Sequence, residues 1–457
     1  MNTAFWSTIL QWSRLGFSAA LFLIATRFLT LAEIGAFATA FAPLRIAQAL
    51  LRSGIGDLAI LSNGPEAQRR VFTLSIMIGV LGAVGLAALG TCLAEPVGQY
   101  LYALAPFVLV QSIGQPAEAV LRRQLRIRAL AIRTTVAQGL SATLALFSLL
   151  QGAGAWSLIC FVALNVSLTA GISLVLAGQR PYISSDRAAI RDLLPVFFRL
   201  SLRDLAGSAT LPLLQLAIGS QFGLPAAGSF QIASRILGLL DALAISPIRF
   251  IALPRFTVIS PGQRPAALLR SLRSTSAIAC LIYPGAILAA PELLALAVGS
   301  DHAKTVAPLM AGFCLTGLIN ALAMPLTQAL TAQGVVGLTL TRTVSVLLLT
   351  LTLAVPGFFL SVTAISAALA FGAFCGTLPF ARTALRVLLI HPDRVLASLA
   401  PACLSGCVMA AALTFLDGSI TNWPALASLT AKMVIGLLAY SSVLLLFSPA
   451  RTATFRT

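Results

Sequence analysis

Arginines at helical spacing inside apolar runs are the side chains of this sequence with the clearest chemistry. In the first run Ser7, Gln11, Arg14 and Ser18 recur at i, i+4, i+7 and i+11, which draws one polar stripe along a helix. The second run carries Arg45, Gln48 and Arg52 at i, i+3 and i+7. The seventh puts Arg199 and Arg203 on one face and Asp204, Ser208 and Gln215 along another, and the eighth carries Arg235 and Asp241, which do not share a face. A charge in a bilayer interior costs at least about 2.5–3.5 kcal/mol, so one that is kept there normally faces a partner or a wet cavity. An excess of guanidinium groups suits an anion, and a pyrophosphate can accept bidentate hydrogen bonds from them. Arg14, Arg45, Arg199, Arg203 and Arg235 are therefore the candidate substrate-binding residues, with Gln11 and Gln48 as polar neighbours. Asp204 and Asp241 are candidates for ion coupling or for an ion pair in the cavity.

Each of these has a plainer alternative. Arg14 and Arg45 also suit internal salt bridges. Arg52, Arg133 and Arg249 lie near helix ends, where a long side chain snorkels to the interface. Arg27 reads as interfacial at the opposite end, and Arg342 fits either role. Asp241 fits a titrating or cation-binding carboxylate and equally a structural partner for an arginine. Glu118 and Asp57 read as gate or loop partners, and His302 and His391 fall in expected loops.

Other chemistries lack their residues. The sequence contains no GxxxxGK[ST] loop for nucleotide and no HExxH or GxSxG motif, so catalysis is not expected and no cofactor or metal is called for. Seven cysteines fall in or beside apolar runs without a CxxC or a Cys/His cluster, and they read as small core residues. The net charge of +17 is scattered over helix ends and does not form one basic face with interleaved aromatics, which argues against nucleic acid.

The elements that carry these residues are set by composition. Of 457 residues 58% are hydrophobic and 9% charged, so the solvent for most of the chain is lipid. Apolar runs of about twenty residues, enough to cross a hydrocarbon core of about 30 Å as helix, recur along its length. The expected fold is an all-α membrane protein of about fourteen transmembrane helices. The segmentation is tested by its connections. Even-numbered ones hold Arg69 and Arg70, then Arg122, Arg123, Arg126 and Arg128, and further arginines to Arg394, whereas odd ones hold Glu33, Glu95, Asp301 and Asp417. Both termini are then expected in the cytoplasm, with the amino-terminal run retained as a membrane helix. The connection around Gln333 carries no charge and rests on length alone.

An internal repeat organises the spans. "LTLAEIGAF" (Leu29 to Phe37) recurs as "FGLPAAGSF" (Phe222 to Phe230), six helices later and in the same orientation. That spacing is expected for two six-helix lobes related by a pseudo-two-fold axis along the membrane normal, plus two C-terminal helices. The expected divisions are 1–177 for the first lobe, 178–192 for a cytoplasmic loop, 193–389 for the second lobe and 390–457 for the last two helices and tail. Prolines inside many spans, Pro43, Pro106, Pro116 and Pro212 among them, imply bent helices around a cavity.

Three stretches carry a resemblance to a known family: "FLTLAEIGAFATA", the basic "LRRQLRIRALAIRTTVAQGLSATLALFSLLQGAGAWSL", and "AKTVAPLMAGFCLTGLINALAMPLTQALTAQG". The chain resembles the polysaccharide-transporter, or Wzx-type, flippases of the multidrug, oligosaccharidyl-lipid and polysaccharide exporter superfamily. The resemblance implies alternating access that carries an undecaprenyl-pyrophosphate-linked oligosaccharide repeat unit across the bacterial inner membrane for exopolysaccharide, capsule or O-antigen synthesis. It further implies membrane lipids, a polysaccharide polymerase and chain-length machinery as partners. Arg14 and Arg45 match the family's cavity arginines by helix and depth. The competing readings are a cation-coupled drug antiporter of the same superfamily, which calls for acidic cavity residues, and a membrane glycan polymerase or ligase, which calls for a large outer loop.

Overall fold

The computed structural model describes residues 2–62, 64–124, 126–180, 187–246, 248, 256, 263–418 and 423–447. Among these the regular elements are all helical, and they form two compact units, Met1–Gln231 and Ile232–Thr457. In the first unit α1 (Asn2–Phe28) is followed by α2 (Leu31–Leu50), a π turn (Leu51–Ile55) and α3 (Gly56–Leu61). Then come α4 (Pro65–Cys92), α5 (Val97–Leu104), α6 (Pro106–Arg123), α7 (Ile127–Leu150), α8 (Trp156–Ala177), α9 (Arg187–Ser208) and α10 (Thr210–Gln221). Helix α11 (Leu224–Ala244) begins in the first unit and ends in the second. The second unit continues with α12 (Arg264–Leu288), α13 (Ala290–Val298), α14 (Ser300–Ala332), α15 (Val336–Gly357), α16 (Val362–Val387), α17 (Pro392–Asp417) and α18 (Ala425–Leu446).

Eleven helical spans among the described residues are long and apolar enough to cross a membrane, and a shorter apolar stretch, Gly16–Phe28, lies in α1. The chain is an all-α, multi-pass membrane protein. The other expected spans, the first, seventh and eighth, are helical as α1, as α9 with α10, and as α11. They are spans on which the arginine stripes lie, and those charges dilute their hydropathy. The expectation of a connection at Gln333 is met by a turn between Ala332 and Val336.

Prolines do interrupt spans, in two ways. Pro106 and Pro291 open α6 and α13 directly after breaks, where a missing N–H is no loss at the first turn of a helix. Others, such as Pro43 and Pro325, stay inside continuous helices. Asp301, His302 and Lys304, expected in a loop, lie in the first turns of α14, and His391 precedes α17 with its Nδ1 2.9 Å from Asp393.

Arginines of the basic connections bond the ends of neighbouring helices. Arg123 Nη1 donates to the Ser62 carbonyl at 2.8 Å, and Arg126 Nη1 donates to the Leu176 carbonyl at 2.8 Å. In the second unit Arg273 Nη2 donates to the Phe447 carbonyl at 2.9 Å. Each accepting carbonyl belongs to the orphaned last turn of a helix, where a cation also meets the negative end of the helix dipole. The helices capped this way are the ends of the second, sixth and fourteenth expected spans, so these three even-numbered spans end beside an arginine.

The cysteines correct one expectation. All seven are free, but only Cys280 and Cys314 are buried, while Cys92, Cys403 and Cys407 are exposed. A lipid-facing helix surface is as apolar as a core, so hydropathy alone does not separate the two.

Candidate functional site

The first unit is built around α2. Its N-terminal end starts with a capping box: Thr30 Oγ1 accepts from the Glu33 backbone N–H at 3.2 Å, while the Glu33 carboxylate accepts from the Thr30 N–H at 2.9 Å. Directly after it the two copies of the internal repeat meet. A Cβ on Gly35 would lie 1.8 Å from the Leu224 carbonyl oxygen, and a Cβ on Gly228 would lie 2.0 Å from that of Leu31. The contact is reciprocal, each glycine facing the residue one turn before the other. Only a residue without a side chain permits two helix backbones this close. Further along, Thr39 of α2 lies against Gly219 of α10.

At its other end α2 widens into the π turn, a form that concentrates at functional positions. Gly54 in that turn sits against Phe197 and Ser201 of α9, and Ser201 Oγ donates to the Leu50 carbonyl at 3.2 Å. These two antiparallel contacts fix the register of α2 against α9 and α10. They place Arg45 level with the break between α9 and α10 at Ala209. Arg45 is exposed there and has no hydrogen bond or ion pair among the described residues. Arg52 is likewise exposed and Gln48 half-buried. Arg199 and Asp204 of α9 are exposed, and the Asp204 carbonyl accepts from Ser208 Oγ at 2.8 Å. The side chains of Gln11, Arg14 and Arg203 lie outside the described ones, as does Arg249.

Arg133 overturns its expectation. It does not snorkel: its side chain is 3% exposed, and Nη1 bonds the Glu118 carboxylate at 3.0 Å and the Ser173 hydroxyl at 2.6 Å. Glu118, expected as a gate or loop partner, also takes Arg122 one turn along α6. The cluster ties α6, α7 and α8 together. The cause is that Glu118 and Ser173 supply acceptors at the depth of Arg133, which removes the drive to reach for the interface.

In the second unit Arg235 is half-buried on α11. The Tyr283 hydroxyl of α12 donates to the carboxylate of Asp241, also half-buried on α11. Tyr283 is fully buried, and its ring fits because Gly317 of α14 carries no Cβ, which would lie 2.4 Å from it. Asp241 therefore has a protein donor held in place by packing. Arg235 and Asp241 belong to this unit, and the other candidates to the first.

Sequence reasoning missed a second buried cation. Lys432 of α18 is 2% exposed, and Nζ lies 2.7 Å from Glu292 and 2.6 Å from Asp417 while donating to the Leu288 carbonyl at 3.1 Å. Ser428 Oγ adds a bond to Glu292 at 3.0 Å. This network pins α18 to α13 and to the end of α17. The signal was present: Lys432 is a lone lysine inside an apolar run, and Glu292 sits in another.

The helical architecture defines a multi-pass membrane protein, and known structures share its fold. The chain is similar to the lipid II flippase MurJ in an inward closed conformation, with a TM-score of 0.77, 11% identity and coverage of 100% of this chain and 99% of that one. It is also similar to an inward-facing multidrug resistance MATE family transporter of the MOP superfamily, with a TM-score of 0.64, 14% identity and coverage of 85% and 98%. At these identities the likeness is one of fold. Among curated proteins it is 24% identical over 303 residues to the succinoglycan biosynthesis transport protein ExoT of Rhizobium meliloti (strain 1021), covering 64% of this chain and 61% of that relative. Residues 24–307 match the family described as polysaccharide biosynthesis protein, and the chain belongs to that family.

Proposed function

We propose that this protein is a flippase that moves undecaprenyl-pyrophosphate-linked oligosaccharide repeat units from the cytoplasmic to the outer leaflet of a bacterial inner membrane. Both termini face the cytoplasm in this reading, and no covalent chemistry is performed. The observation that carries it is Arg45: an exposed guanidinium in the interior of a membrane helix, without an acidic partner among the described residues, within a chain of the polysaccharide biosynthesis family. Water or an anion must meet such a group, because lipid will not. Arg14, Arg199 and Arg203 in the first unit and Arg235 in the second are further anion contacts in this reading, Gln11 and Gln48 contact sugar hydroxyls, and Asp204 and Asp241 serve coupling or balance the charge. The repeat-based lobes, 1–177 and 193–389, move against each other, and the reciprocal Gly35–Gly228 contact is where the repeats touch. The polyprenyl tail stays in lipid, and a polymerase with its chain-length machinery receives the product.

The MATE likeness keeps a cation antiporter as the rival, but a cation carrier wants acidic groups where this chain places arginine. A deletion strain decides. Accumulation of lipid-linked repeat units in the cytoplasmic leaflet is expected, and normal surface polysaccharide in a strain lacking other flippases rejects the proposal.

A further inference from the structure

Arg342 of α15 differs from the buried cations Arg133 and Lys432. Its Nε donates to Thr377 Oγ1 at 3.1 Å and its Nη2 to Asn320 Oδ1 at 2.6 Å, and the guanidinium lies 5.7 Å from the ring centre of Phe380. No acidic side chain among the described residues bonds it. Arg133 and Lys432, by contrast, are neutralised by carboxylates. Neutral acceptors orient a guanidinium without cancelling its charge, so Arg342 keeps a full positive field and a free edge.

Its direction is equally telling. Gly372 packs on Thr350 and Gly376 on Val346, a register that puts Arg342 level with Phe380. Thr377 is one turn deeper along α16, and Asn320 lies in the interior of the 33-residue α14. A snorkelling arginine would extend toward the nearer helix end, and this one reaches away from it. Asn320 is exposed and Arg342 half-buried. An exposed amide beside a cation at that depth needs water rather than hydrocarbon.

We propose that Arg342, held by Asn320 and Thr377, is an oxyanion-binding site in the second unit that contacts an anionic group of the transported glycolipid. This rests on the flippase reading for its physiological ligand, and the oxyanion is either the pyrophosphate of the carrier or an acidic substituent of the sugar. Bidentate geometry, which a guanidinium offers and an ammonium does not, is the recognition element.

The test uses the full chain in phosphatidylcholine nanodiscs, with inorganic pyrophosphate and glucuronate as probes and ligand-dependent thermal stabilisation as readout. Saturable stabilisation by at least one probe is expected. Pyrophosphate alone assigns the site to the carrier, and glucuronate to the sugar. R342Q should weaken that binding roughly tenfold to a hundredfold, the value of a charge-assisted hydrogen bond, and R342K should restore it only in part. N320L, which keeps the charge but removes an acceptor that orients it, guards against an R342Q that does not fold and should also weaken binding. R394Q, which removes an exposed cation, should not. Wild-type protein that binds neither probe, or an R342Q or N320L that binds like wild type, overturns the site. Failure of the flippase reading shows separately, as a deletion strain without leaflet accumulation of lipid-linked repeat units.

Discussion

Adding one methyl group at the reciprocal glycine contact should separate two helices. In Gly35→Ala the new Cβ falls 1.8 Å from the Leu224 carbonyl oxygen, and in Gly228→Ala it falls 2.0 Å from that of Leu31. Neither neighbour is the flexible end of a side chain, so relief requires α2 and α11 to part by roughly 1.5 Å, an overpacking change worth about 1–3 kcal/mol for each substitution. The two clashes are relieved by the same movement. Once the helices have separated for one methyl, the second meets little resistance, so the double variant should lose far less than the sum of the singles. The interaction term of that cycle should be at least about 0.5 kcal/mol and favourable. Denaturant unfolding of the four proteins in detergent micelles, followed by tryptophan fluorescence, reads it. Strict additivity, or single variants as stable as wild type, would refute a shared backbone contact between the two repeats.

Four further outcomes follow from the same geometry. Arg133→Ala leaves one Glu118 oxygen without its buried partner while Arg122 keeps the other, and should cost about 1.5–3 kcal/mol, visible as loss of folded protein from membranes. Arg45→Ala, which breaks no bond among the described residues, should leave membrane levels unchanged while transport falls. Lys432→Ala should loosen α18 at a cost of about 3–5 kcal/mol, read as faster proteolysis of the C-terminal helices, whereas Lys432→Met with Glu292→Gln and Asp417→Asn should recover most of it. Tyr283→Phe removes the donor to Asp241 and should cost about 1.5–3 kcal/mol in thermal unfolding, with Tyr283→Leu worse because the ring against Gly317 is lost too.

How far these features could be read from the sequence depended on their range. Membrane spans follow from local composition, and the side on which they end follows from arginine-rich connections, so α2 through α8 were legible. The repeat was legible as a pattern, but the meeting of Gly35 with Gly228 was not, since two glycines far apart in sequence carry no mark of contact. Pairing was the general failure. Arg133 and Arg45 look alike in sequence, and what separates them is whether Glu118 and Ser173 arrive from other helices at the right depth. Lys432 was overlooked because its partners lie on α13 and α17, and Arg342 stayed undecided because its acceptors, Asn320 and Thr377, are neutral and unremarkable in isolation. Exposed and buried cysteines were indistinguishable because lipid and protein interior select the same residue types.

The central proposal is that Arg45 on α2, which has no acidic partner among the described residues, meets the anionic head of a lipid-linked oligosaccharide during its passage. Purified protein in liposomes loaded with a fluorescent polyprenyl-pyrophosphate oligosaccharide, with leaflet exposure scored by an impermeant quencher, measures that passage directly. Wild type should equilibrate the lipid between leaflets, and Arg45→Ala should slow the rate by roughly tenfold or more, the scale of a lost charge-assisted contact. Equal rates for the two proteins, at equal reconstituted amounts, would contradict the account.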